Sequence, residues 1–107
     1  MRNDRNYLLH ILECIRRIEE DVRDGRPAFD KSHTIQDAVI RNLQVMAEST
    51  QRLSMEFKQA HSGTNWAAIA GLRNVLVHDY FGVDTQVIWE IVIKDIPALK
   101  AVVDGAL

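Results

Sequence analysis

The chain has 107 residues, 47% of them hydrophobic and 26% charged, the size and composition of one globular domain spanning 1–107 and too short for two. Its net charge is −2, and residues 79–107 alone come to −3, which argues against a non-specific polyanion binder and leaves any RNA contact to a local cluster. The single cysteine, Cys14, excludes an internal disulfide, and no apolar run approaches the roughly 20 residues of a membrane span, so a reducing cytoplasm is the expected compartment.

The N-terminal Met-Arg-Asn-Asp soon alternates charges with apolar residues and has no signal-peptide core. Leu8, Ile11, Ile15, Ile18 and Val22 then recur at three- and four-residue steps, which predicts a helix from about 4 to 24, stopped by Gly25 and Pro27. Residues 26–33 read as a loop. A second helix is predicted to start near Thr34, with Asp37 completing a capping box. The stripe Ile35, Val39, Leu43, Met46, Leu53 and Phe57 carries it to about residue 60.

His61-Ser62-Gly63-Thr64-Asn65 has turn chemistry, and a third helix is predicted from Trp66 to Tyr80, ending before Gly82. Asp84 is suited to cap a fourth, whose inner side carries Ile88, Ile91, Val92, Leu99 and Val102. Pro97 lacks the amide proton an interior position uses, so the fourth helix should kink or break there and leave a short final helix. There is no convincing strand pattern. The fold class is all-α, an antiparallel four-helix bundle with a short C-terminal helix after Pro97.

The third helix carries the chemistry. At about 100° per residue, Ile69, Leu72, Val75 and Leu76 fall within one arc of roughly 120°, the expected core face. Arg73, Asn74, His78 and Tyr80 fall within an opposite arc of roughly 160°, together with Val77 and Phe81. A fully solvated face would not hold those two apolar residues, so this face should line a groove or a subunit interface. On spacing alone, a solvated face with an arginine and a histidine at random positions is the commoner arrangement. The alternative is phosphodiester chemistry. A neutral imidazole takes the proton from a ribose 2′-hydroxyl, and a guanidinium holds the charge building on the phosphoryl oxygens.

The stretch GLRNVLVHDYFGVD, residues 71–84, resembles the signature of HepT-like toxins in the HEPN superfamily, in which arginine, four residues, histidine, one residue and tyrosine form the motif. Arg73, His78 and Tyr80 match it. TIQDAVIRNLQVMAEST around Arg41 and VIWEIVIKDIPAL resemble the family's second and last helices, so the resemblance covers nearly the whole chain. It implies a HEPN-like bundle and a metal-independent endoribonuclease, the toxin of a type VII-like toxin–antitoxin system. Two subunits would dimerise with their motif helices facing across a cleft. Arg73 and His78 would be catalytic, Asn74 supporting, and the product a 2′,3′-cyclic phosphate. The implied partners are RNA, a second copy of the chain and an MntA-type nucleotidyltransferase antitoxin that transfers adenylate to Tyr80. No metal, other cofactor or membrane is implied.

Two features depart from the family pattern. Met46-Ala47-Glu48-Ser49 stands where similar sequences have Gly-Glu-Ala, which predicts an altered helix approach. The turn before Trp66 lacks a proline, which predicts a looser helix start. Elsewhere, His10 reads as a helix-surface residue and His33 and His61 as loop residues, none with a carboxylate or cysteine at metal-ligand spacing. Cys14, among isoleucines, reads as packing. Trp66 and Trp89 read as core anchors. Arg16 and Arg17 are balanced by Glu19, Glu20 and Asp21, and Arg41 and Glu48 share a helix face. Surface charge is the default for both, with Arg41 a candidate for RNA or partner contact because the resemblance puts its helix beside the cleft. The competing functional reading is a catalytically silent helical module that binds nucleotide or a nucleotidyltransferase.

Overall fold

The computed structural model describes residues 3–79 and 82–107, and all of their regular structure is helical. Helix α1 runs over Asp4–Asp21 and buries Leu8, Ile11, Cys14, Ile15 and Ile18, the expected stripe. Its outer face is charged. Arg16 and Arg17 both donate to Glu13, at 2.8 and 2.9 Å, and Arg16 also faces Glu20 at 3.6 Å. The acids expected to balance the two arginines therefore share that task with the carboxylate one turn earlier.

The predicted loop at 26–33 is instead a short helix, α2, over Gly25–Lys31. Gly25 takes φ +86°, the left-handed turn that a side chain disfavours, and Pro27 then sits in the first turn, where a missing amide proton costs nothing. The helix forms because it buries Phe29 completely, against the Trp89 ring 5.2 Å away. Trp89 is thus the core anchor it was expected to be.

Helix α3 covers His33–Gln51, one residue ahead of the predicted start. Its cap is Ser32, whose hydroxyl accepts from the Ile35 amide at 3.1 Å, and not Thr34. The helix does not reach residue 60. It stops at Gln51, and Ser54 caps a separate α4 over Met55–Ala60 by accepting from the Phe57 amide. Ser54 also donates to Asp4 through both its amide and its hydroxyl, at 2.8 and 2.7 Å. That contact joins the start of α1 to the end of α3, while Asn42 reaches Asp21 at the other end of α1. The two helices are therefore antiparallel. Burial pushes the Asp21 carboxyl above its ordinary range, and the Asn42 hydrogen bond only partly offsets it.

Helix α5 spans Trp66–His78, α6 spans Thr85–Glu90 and α7 spans Ile96–Ala106. Asp84 caps α6 as expected, accepting from the Gln86 amide at 2.9 Å. Between α6 and α7 the chain takes a π-helical turn over Ile91–Asp95, so residues 85–106 form one irregular rod. Pro97 falls in the first turn of α7. The π-turn is the disruption that Pro97 was expected to cause, since it changes the hydrogen-bond register just where the proline ring would meet a carbonyl.

Four rods result: α1, α3, α5 and the rod from α6 to α7. Ile11, Ile15, Val39, Leu43, Leu76 and Val103, all fully buried, form the shared core, each contributing about 1.5–3 kcal/mol by leaving water. Ala47 is fully buried within α3, so the extra methyl at this position is absorbed in the core. No helix among the described residues is long and apolar enough to cross a membrane.

Candidate active site on the fifth helix

The start of α5 is firmly held. Asn65 caps it through its side-chain oxygen, which accepts from the Ala68 amide at 3.0 Å. The Trp66 indole donates to the His61 carbonyl at 3.1 Å, and its ring lies edge-on to Phe57 at 6.1 Å. The looser start predicted from the missing proline is not found, because these contacts replace it.

Leu76 is fully buried, and Ile69 and Leu72 pack half-buried against the core, as the helical wheel predicted. Val75 was placed with them and is not there: it is 51% exposed. It lies at the edge of the predicted arc. Val77, on the motif arc, is 44% exposed, and Val45 on α3 is 36% exposed. Of these exposed valines, Val77 shares the motif arc with Asn74 and His78.

Helix α3 grips α5 at two points. Gln44 donates to the Leu76 carbonyl at 2.8 Å, and Glu48 pairs with Arg73 across 3.4 Å, from Oε2 to Nε. Since Gln44 precedes Glu48 while Leu76 follows Arg73, α3 and α5 run antiparallel. On its other edge the Arg73 guanidinium donates from Nη1 to the Asn74 side-chain oxygen at 3.4 Å. The arginine side chain is 31% exposed, so it is neither buried in the core nor free in water. Arg41 is exposed one turn before Gln44 and donates to its side-chain oxygen at 3.5 Å. Arg41, Gln44 and Glu48 thus form the α3 side of the site. Only Arg41 had been singled out for it. Neither Gln44 nor the role of Glu48 was visible in sequence, since both contacts join residues far apart in the chain.

His78 is the last residue of α5 and is exposed, as is Asn74 one turn before it. Tyr80, with Phe81, lies outside the described residues. The other histidines stand apart from the motif. His10 is exposed on α1, edge-on to Tyr7. His33 is the first residue of α3 and not a loop residue. His61 ends α4, with its ring stacked on Phe57 at 4.2 Å. Cys14 is buried, and burial pushes its thiol pKa up. Among the described residues no group of three or more His, Cys, Asp or Glu side chains is placed to hold a metal ion.

A groove of about 730 Å³ lies on the opposite side of α5, between its first two turns and α7. Ile69, Leu72, Ile91 and Leu99 line it, and His61 and Asn65 stand in its wall. None of Arg73, Asn74 and His78 reaches it. Asn74 and His78 are exposed on the motif face instead.

Comparison with known proteins returns a single theme. The sequence profile of a family described as "Ribonuclease HepT-like" matches residues 11–105. A protein of Methanocaldococcus jannaschii named "Gamma-glutamylcyclotransferase and putative RNase" is 44% identical over 102 residues, covering 94% of this chain and 46% of its own length. The chain therefore spans about half of that relative. A "Putative RNase" of Caldanaerobacter subterraneus is 40% identical over 101 residues, covering 94% of this chain and 90% of the relative. A "Probable ribonuclease HepT" of Thermococcus cleftensis is 39% identical over 100 residues, covering 92% and 91%. No solved structure matches the chain.

Proposed function

The chain belongs to the HepT-like ribonuclease family, and from that membership we propose that it is a metal-independent endoribonuclease toxin working through Arg73 and His78. The observation that carries the reading is the exposed motif face of α5, where Arg73, about a third exposed, is held against Glu48 and His78 is exposed at the helix end.

The chemistry follows from the side chains. Neutral His78 takes the proton of a ribose 2′-hydroxyl, and the oxygen attacks the adjacent phosphorus. Arg73 holds the negative charge that grows on the non-bridging oxygens, in the planar geometry a guanidinium offers. The 5′-oxygen leaves with a proton, and a 2′,3′-cyclic phosphate remains. Asn74 supports Arg73 through the hydrogen bond at 3.4 Å. One histidine serves as base, and a second must serve as acid. A homodimer with its motif helices facing supplies it as His78 of the partner subunit. Val77, exposed on the motif arc beside exposed Asn74 and His78, fits such an interface. Arg41, exposed on α3 one turn before Gln44, would meet RNA or a protein partner.

Silencing would fall to an MntA-type nucleotidyltransferase antitoxin acting on Tyr80. The phenolic oxygen attacks the α-phosphorus of ATP, pyrophosphate leaves, and the adenylate adds bulk and negative charge to the motif. Arg73→Ala tests the proposal. Lost cleavage with intact dimerisation supports the enzyme, whereas lost partner binding from a chain that never cleaved supports the silent binding module.

A further inference from the structure

We infer that Glu48 is a positioning residue for Arg73, orienting its guanidinium before RNA arrives. The inference rests on the ribonuclease reading and names a residue that reading does not require.

The geometry is specific. Glu48 Oε2 lies 3.4 Å from Arg73 Nε, and Arg73 Nη1 lies 3.4 Å from the Asn74 side-chain oxygen. The guanidinium is thus met from α3 at Nε and from its own helix at Nη1, while the side chain stays 31% exposed. Both partners are partly exposed, 31% for Arg73 and 43% for Glu48, and a pair so placed contributes little to stability. Its consequence is orientation. An unrestrained arginine samples many rotamers, and ordering it during the reaction costs free energy that a preset guanidinium avoids. Glu48 is itself set, because α3 is bolted to α5 by the Gln44 hydrogen bond to the Leu76 carbonyl, one turn along.

The same carboxylate has a second effect, of opposite sign. It places negative charge near the phosphate that Arg73 must bind, so it opposes ground-state RNA affinity while favouring the transition state. This combination predicts a split between the two kinetic constants that a merely structural glutamate would not produce.

The experiment compares parent, Glu48→Ala and Glu48→Gln on one fluorogenic RNA, with thermal melts alongside. For Glu48→Ala, kcat should fall about tenfold or more while KM stays level or drops. Glutamine keeps the length and polarity of the side chain but lacks the charge, so E48Q should hold kcat within about threefold of parent with KM lowered. All three should melt alike. An active parent with unchanged kcat in E48A would overturn this inference alone, as would a rise in KM with kcat intact. A parent that cleaves no RNA would overturn the ribonuclease reading and this inference with it.

Discussion

Gln44 of α3 donates to the carbonyl of Leu76 at 2.8 Å, two residues before His78. The last carbonyls of a helix have no partner within it, and here a side chain from another helix supplies one. Gln44→Ala should lower stability by about 1 kcal/mol, read from the urea midpoint. Because the bond fixes the turn that presents His78, cleavage should fall further than the unfolded fraction explains. A variant with parental activity would show that this turn holds itself.

Leu76 is the fully buried residue of the motif helix. Truncation to alanine removes its apolar contacts and leaves a cavity between α5 and the core. Leu76→Ala should cost about 2–5 kcal/mol in chemical denaturation. Exposed Val75, one residue earlier, should tolerate alanine within about 0.5 kcal/mol in the monomer.

Acid sensitivity has a local source. Hydrogen bonds from Arg16 and then Arg17 lower the Glu13 carboxyl from 4.5 to about 2. A carboxylate depressed in the folded state adds stability above its unfolded pKa, and that addition is lost as pH falls through the folded value. The contribution of Glu13 should therefore be complete above about pH 4.5 and gone near pH 2. Urea midpoints of parent and Glu13→Gln should differ at pH 7 and converge near pH 2. High salt should narrow the gap at pH 7, since the pair lies on the exposed face of α1.

Cys14 is 6% exposed, and burial raises its thiol pKa. Native protein at pH 7 should react with a disulfide reagent only as fast as it opens, and at once in urea. Rapid labelling of folded protein would contradict the burial of this face of α1.

The rods were legible because their apolar residues recur with helical period, and that signal survived in α1, α3, α5 and the final rod. Misreadings arose where local chemistry overrides periodicity. Gly25 and Pro27 read as breakers, yet a proline in a first turn permits a helix, and burying Phe29 against Trp89 gives it reason to form. The stripe through Leu53 and Phe57 kept its spacing across the break that Ser54 caps, so one long helix was expected where two exist. Within the candidate site, Arg73, Asn74 and His78 were singled out by their shared face together with the motif the stretch resembles. Glu48 looked like ordinary surface charge because only folding brings it to Arg73. Tyr80 lies outside the described residues and rests on the motif alone.

The central claim is that Arg73 and His78 cut RNA without a metal. Purified parent protein and His78→Ala, both in excess EDTA, should be offered total cellular RNA, with mass spectrometry of Tyr80 to show that neither carries an adenylate. The account predicts that the parent alone cleaves, leaving 2′,3′-cyclic phosphate ends. Unmodified parent that leaves every RNA intact, or His78→Ala that cleaves as well as parent, would contradict it.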